Sequence, residues 1–341
     1  MAKPSDVVEK YSGNPILTFR DVPWSCTGAY NPGCVRTPDG TYALAFRADE
    51  FTDVNADQVE KLGVVPATEK GGAIALALSD DGIAFEVYPK PVLTPLPDED
   101  GSIYDPRLTV IDGTYWMTYA TSTARGILNG IARSRDLHDW ERVHRTLPDN
   151  RNALLFPEKV GGLYVRLDRP FGHIFSRGRG FDMWIGYSPD MEFWGRHKLV
   201  LRAEDVPWGK VKIGPSTPPI RTDEGWLALF HGVEMREPDR FGWPFTYRTG
   251  VLLLDLDDPS QVVGMCPDPI MEPTEDYENI GYRSHVVFPG AMIPEADGTV
   301  RIYYGAADQS VALATARLND LIDLCTGGSD LLRKTEEKAP Q

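Results

Sequence analysis

No run of about 18 apolar residues occurs in the 341-residue chain, which excludes a membrane-spanning helix. A basic excess is missing too. The chain has 35 Lys and Arg against 50 Asp and Glu, a net charge of −15, so it lacks the cationic footprint that a nucleic-acid partner needs. Cysteine is scarce: Cys26, Cys34, Cys266 and Cys325 form no CxxC pair. Buried free thiols are the expectation, with a Cys26–Cys34 disulfide the one pairing left open. The six histidines form no HExxH or HxH pair, so no metal site is expected. Residues 1–13, MAKPSDVVEKYSG, hold no apolar secretory segment, and the chain reads as cytoplasmic. RGRGFD at 177–182 contains GxG without the rest of a dinucleotide fingerprint and reads as a turn. Long helices are excluded because 28 Pro and 32 Gly punctuate nearly every window, LNDLIDLC at 318–325 excepted.

What is present is a repeat. A Gly-containing turn, usually after an acid, leads an apolar or aromatic segment of period two. It occurs as DGTYALAFRAD, DGTYWMTYATS, GGLYVRLDRP, DEGWLALFHGV and DGTVRIYYGAAD, with turn glycines Gly40, Gly113, Gly162, Gly225 and Gly298. Asp-Gly before alternating apolar residues predicts a hairpin, since glycine accepts the positive φ of the turn. Strand-like runs precede most turns (NPGCVRT, YDPRLTVI, NALLFPEKV, PSTPPIRT, VVFPGAMIP), and others follow, such as GAIALALS and GVLLLDL. Five units of about four strands predict an all-β fold, a five-bladed β-propeller with a short C-terminal helix, against a β-sandwich as the alternative. Length alone would allow two domains. Composition shows no linker, so residues 1–341 read as one domain with 1–13 and 326–341 as terminal extensions.

In a propeller, corresponding strand ends converge at one mouth of the channel. The strands before the turns bring Asn31, Asp105 with Arg107, Arg151 with Asn152, and Lys212. The turn-led strands end in Arg47 with Asp49, Asp168 with Arg169, His231, and Asp308. The proline after Asp105 predicts an extended backbone there, and burial would raise its pKa toward that of a general acid. An ion pair with Arg107 is the competing reading. Arg151, Arg169 and Lys212 would put three cations on one rim, a plausible oxyanion clamp, with a solvated basic face as the alternative. Residues 142–212 carry 13 Lys and Arg against 8 Asp and Glu, a cationic stretch inside an acidic protein. His231 is as readily a core residue as a ligand-binding one, and Asp308 either a sugar-hydroxyl acceptor or a turn cap. Most of the tryptophans read as core, some as sugar-stacking platforms.

DPRLTVIDGTYWMTYAT, NRNALLFPEKVGGLYVRLDRP, IGYSPDMEFWGRHKLV, KIGPSTPPIRTDEGWLALFHGV, VLLLDLDDPSQVVG and YYGAAD together resemble the β-mannoside phosphorylases of glycoside hydrolase family 130, over nearly the whole chain. The resemblance implies a five-bladed propeller and reversible, inverting phosphorolysis of a β-mannoside to α-mannose 1-phosphate. It assigns the general acid to Asp105, with its proton relayed through the mannose 3-hydroxyl. It assigns phosphate binding to Arg151, Arg169, Lys212 and His231, and sugar binding to Asn31, Arg47, Asp49, Arg107, Asn152 and Asp308. Its partners are thus a β-mannoside and inorganic phosphate as co-substrate, with no other cofactor, no nucleic acid and no membrane; a homo-oligomer stays open. The chain departs from the family pattern at SHVVFPG, where Asn is expected in place of His285. An inverting hydrolase needs a second carboxylate to activate water, whereas phosphate is itself an anionic nucleophile and needs cations. Two alternatives are a β-mannosidase or other propeller glycosidase, drawing on Asp49, Asp105, Glu234 and Asp308, and a non-catalytic sugar-binding propeller. Linkage and acceptor are left open.

Overall fold

Each predicted turn glycine adopts the positive φ that its hairpin requires, from 72° at Gly113 to 149° at Gly225, and the flanking runs pair as antiparallel strands. The computed structural model describes residues 3–51, 69–172, 181–238 and 243–327. Its strands form five sheets in chain order. The first blade is β2 (Gly28–Arg36), β3 (Tyr42–Phe51), β4 (Glu69–Ser79) and β5 (Glu86–Val87). The second is β6 (Ile103–Ile111), β7 (Thr114–Thr123), β8 (Gly126–Ser134) and β9 (Glu141–Arg145). The third is β10 (Asn150–Leu155), β11 (Tyr164–Pro170), β12 (Met183–Ser188) and β13 (Gly195–Leu201). The fourth is β14 (Lys212–Pro215), β16 (Trp226–Met235), β17 (Phe245–Leu254) and β18 (Val262–Met265), with β15 (Ile220–Arg221) added beside β16. The fifth is β19 (Val287–Pro294), β20 (Thr299–Ala306) and β21 (Ser310–Arg317), completed by β1 (Val8–Lys10). The ring is the predicted five-bladed propeller. The C-terminal helix spans Leu318–Gly327. No helix among the described residues is long and apolar enough to cross a membrane.

The buried apolar residues fall into five clusters, and each straddles two adjacent blades. One joins Leu44 and Phe46 of blade one to Tyr303 and Val311 of blade five. Others join blades four and five through Leu229 and Tyr304, three and four through Leu167 and Phe230, one and two through Leu76 and Met117, and two and three through Trp116 and Leu155. Period-two strands with both faces covered explain why so many read as continuous apolar runs. The turns after the third strands are capped locally. Ser188 Oγ accepts from Met191 N at 2.8 Å and Asp190 Oδ1 from Glu192 N at 2.9 Å, and Ser134 with Asp136 does the same.

The N-terminal segment departs from expectation. It is not a free extension, because Val8–Lys10 pairs with β21 and closes the last blade. Lys10 Nζ reaches the fully buried Glu278 at 2.6 Å, and Glu278 also accepts from Tyr304 Oη and from Thr274 N. Removing one member of a buried pair strands the other. Glu278→Ala should therefore cost about 3 kcal/mol and lower Tm by several degrees, measured by calorimetry. A Tm unchanged within one degree would show that the clasp contributes nothing. RGRGFD lies outside the described residues up to Gly180.

Candidate active site

The hairpins bring the predicted strand ends together at one mouth of the channel. Register pairs Tyr30 with Arg47, Arg151 with Arg169 and Gly214 with His231. The first strands touch around the axis, β2 against β6 and β19, and β10 against β6 and β14. Three of them bulge at the mouth. Their registers slip after Tyr30, Tyr104 and Arg151, and Asn31, Asp105 and Asn152 take left-handed φ values of 51°, 55° and 60°. A bulge re-aims one side chain, and here it turns three polar residues toward the axis. Asp105 is therefore not extended as its following proline implied; ring packing overrides that local preference. In blade five His285, two residues before β19, also has a left-handed φ of 61°, while the register of β19 slips between Pro289 and Ala291.

A pocket opens there, lined by Asn31, Arg151, Asn152, Arg169, Lys212 and His231, together with Tyr247, Val286, Phe288 and Asp308. Asp105 lies behind the first two. Asn31 Nδ2 donates to its Oδ1 and Arg151 Nη2 to its Oδ2, both at 2.8 Å. The expected partner Arg107 is instead turned to backbone, donating to the carbonyls of Ser216, Pro106 and Pro289. Burial works against the charge on Asp105, but Arg151, Arg47 and Arg107 outweigh it and hold the carboxyl below its ordinary range. This reverses the expected direction: the pKa is lowered, because charges from three strands win over desolvation.

The remaining acids differ. Asp49 accepts from Tyr30 Oη at 2.6 Å and pairs with Arg47, which is packed between the rings of Tyr30 and Tyr104 at 4.8 Å each. Neither Arg47 nor Asp49 lines the pocket; with Arg107 they form its buried surround. Glu234 faces outward and pairs with Arg248 at 2.6 Å. Asp168 pairs with Arg166 at 3.0 Å and is likewise absent from the lining. Asp308, φ 49°, lines the pocket, and burial pushes its pKa up despite Arg47.

The cations crowd one another. Among the described residues neither Arg169 nor Lys212 is ion-paired to a carboxylate. Burial, then Arg169 and Arg151, hold the Lys212 ammonium well below its usual pKa, and Lys212 Nζ sits 5.1 Å from the centre of the Tyr247 ring. Burial and Arg151 bring Arg169 down to about 10. Arg151 goes up, because Asp105 more than offsets its burial. His231 is fully buried, with Nδ1 2.9 Å from Ser216 Oγ and Nε2 3.5 Å from Arg169 Nη1. Arginine only donates, so Nε2 accepts and Nδ1 carries the proton. Burial, Arg169 and Lys212 keep the ring neutral, so His231 adds no charge to the clamp and supports Arg169 from below. The buried Nε atoms of Arg151 and Arg169 and the Oδ1 atoms of Asn31 and Asn152 have no partner. All four residues line the pocket, and buried polar atoms left without a partner call for an explanation at such a site.

Tyr247, Val286 and Phe288 were not singled out from sequence. Tyr247 stacks 6.0 Å from His231 and 6.2 Å from Trp243, and burial pushes its phenol up to about 12, so it stays a donor. Its place on the strand after His231 was the available signal. Of the tryptophans, Trp116, Trp208 and Trp226 are core, while Trp243 backs the pocket wall beneath Arg283.

A family profile described as beta-1,4-mannooligosaccharide phosphorylase matches residues 67–327. The chain is 34% identical to a Beta-1,4-mannooligosaccharide phosphorylase of Ruminococcus albus over 93% of its own length and 90% of the relative's. It is 38% identical to a Beta-1,2-mannobiose phosphorylase of Thermoanaerobacter sp. (strain X514), covering 89% and 95%. Among solved structures, the Beta-1,2-mannobiose phosphorylase of Listeria innocua in complex with beta-1,2-mannobiose superposes with a TM-score of 0.79 at 27% identity, covering 93% and 99%.

Proposed function

The chain belongs to glycoside hydrolase family 130, and on that footing we propose that it catalyses reversible, inverting phosphorolysis of β-mannosides to α-D-mannose 1-phosphate. One observation carries the mechanism: three cations, the buried Arg169 and the half-buried Arg151 and Lys212, converge on a pocket where Arg169 and Lys212 have no carboxylate partner among the described residues. Unpaired buried cations are costly unless an anion completes them, and Arg matches phosphate oxygens two at a time. Hydrogenphosphate held there attacks C1 of the mannosyl unit from the face opposite the leaving sugar. The C1–O bond to that sugar breaks, and Asp105 gives its proton to the departing oxygen, relayed by the mannose 3-hydroxyl. The proton that came in on hydrogenphosphate leaves the new ester and restores Asp105. Mannoside and hydrogenphosphate thus become mannose 1-phosphate dianion and free sugar, with atoms and charge conserved.

Asn31, Asn152 and Asp308 are the side chains offered to sugar hydroxyls; Arg47, Asp49 and Arg107 act from behind them. Inorganic phosphate is co-substrate and the chemistry calls for no cofactor. All four cysteines are free and buried, which supports a reducing, cytoplasmic setting and leaves Cys26 and Cys34 unbridged. The test is β-mannobiose turnover with and without phosphate. Mannose 1-phosphate should form, and removing phosphate should abolish sugar release. Release that continues unchanged without phosphate would sink the proposal in favour of hydrolysis.

A further inference from the structure

The two oxygens of Asp105 are held by different strands and differ in access. Oδ1 accepts from Asn31 Nδ2 and Oδ2 from Arg151 Nη2, each at 2.8 Å. Asn31 is fixed in place. It is buried, sits on the bulge of β2, and lies so close to Gly305 that a methyl group there would collide with its amide oxygen. Arg151 is the reachable member. Its side chain is 29% exposed against 2% for Asp105, so an anion entering the pocket meets the guanidinium before the carboxylate.

We propose, building on the phosphorolytic reading above, that phosphate binding itself loads the acid: the anion takes Arg151 from Oδ2, Asn31 keeps Oδ1, and Oδ2 receives the proton. An amide N–H directed at Oδ1 leaves no room for a proton on that oxygen, so Asn31 is a positioning residue that decides which oxygen becomes the O–H. The charge balance drives the uptake. Asp105 is faced by Arg151 on β10, Arg47 on β3 and Arg107 on its own strand. Arg169, Tyr247 and Asp308 also interact with it electrostatically, and Lys212 shares the field of Arg151, Arg169 and Asp308. A dianion placed among these cations cancels part of the field that keeps the carboxyl ionised; the proton comes from bulk buffer and returns to it when the dianionic product leaves and Arg151 pairs with Asp105 again. Water at C1 cannot cause this change. The acid is thus armed only when the phosphate nucleophile is in place, which separates phosphorolysis from hydrolysis without a second carboxylate.

Sulfate is the probe, because it is a tetrahedral dianion with no proton to lose near neutrality. Its affinity is measured by calorimetry from pH 5 to 8, in buffers of different ionisation heat, for wild type and Asp105→Asn. Lys212 and His231 can also take up protons when an anion binds, and Asp105→Asn retains their share. The expected difference is close to one proton. Sulfate affinity of wild type relative to Asp105→Asn should rise about tenfold per unit fall in pH within the linked range. Equal slopes with sulfate bound to both proteins would overturn the coupling and leave the clamp standing. Failure of sulfate and phosphate to bind either protein would overturn the phosphorolytic reading and the coupling with it. For Asn31→Ala, loss of the N–H donor should move the alkaline limb of the kcat profile to higher pH. Phosphate KM should stay within about twofold while kcat falls about tenfold. An unmoved limb would overturn the role given to Asn31.

Discussion

Asp105→Asn should lower kcat for β-mannobiose phosphorolysis by about 10³-fold while the protein keeps its fold and still binds phosphate. The carboxamide fills the same volume on the same bulge, so packing around Asn31 and Gly305 is preserved. What disappears is the only proton source proposed for the departing oxygen, and general acids contribute roughly 10²- to 10⁴-fold. The loss should depend on the leaving group. A sugar alkoxide needs the proton, whereas 4-nitrophenolate leaves without help, so with 4-nitrophenyl β-mannoside the penalty should shrink by at least about tenfold. Steady-state rates on the two substrates check both statements. A variant retaining a tenth of wild-type turnover on mannobiose would move the acid elsewhere, with Asp308 the next residue to test because its pKa is raised.

The second large effect separates two arginines. Arg169→Ala should raise phosphate KM about 10²-fold and leave mannoside KM within about threefold, since charge-assisted hydrogen bonds to an anion are worth roughly 1.5–3 kcal/mol. Arg169 serves no carboxylate among the described residues, so its removal strands no buried charge. Arg151→Ala removes the same kind of phosphate contact and also deprives Asp105 of its nearest cation. It too should weaken phosphate use far more than mannoside binding, and in addition its pH profile should shift. Initial-rate measurements varying both substrates at several pH values distinguish these results. Equal losses for phosphate and mannoside in Arg169→Ala would dissolve the clamp.

The ring was legible because its signal is periodic and chemical. Five glycines at hairpin turns, each followed by alternating apolar residues, report backbone geometry directly, and the polar residues at the strand ends follow from topology. The bulges were not legible. Nothing in NPG, DPR or RNA shows that Asn31, Asp105 and Asn152 turn to positive φ, because the surrounding strands impose it. The pKa of Asp105 was misread for a related reason. Its neighbours in sequence are apolar, but Arg47 and Arg151 arrive from other blades, 58 and 46 positions away. An ion pair between Asp105 and Arg107 would need the two on one face of a regular strand, and the bulge between Tyr104 and Arg107 breaks the period of two. Tyr247 escaped notice because aromatics recur throughout the chain and only contact with His231 distinguishes it.

Closure of blade five by β1 bears on how the molecule is made. The strand nearest the start of the chain pairs with the last one, Val8 opposite Ala316, so the sealing contact joins residues about 300 positions apart. Contacts of that separation form late, after their loop-closure entropy has been offset by the blades already in place. Asp308 and Phe288 belong to the blade that this pairing completes, and Asn31 belongs to the blade next to it. The pocket therefore matures at the end of folding rather than with any single blade. A chain with four finished blades would carry Asp105, Arg151, Arg169 and Lys212, yet lack Phe288 and Asp308 from the pocket wall.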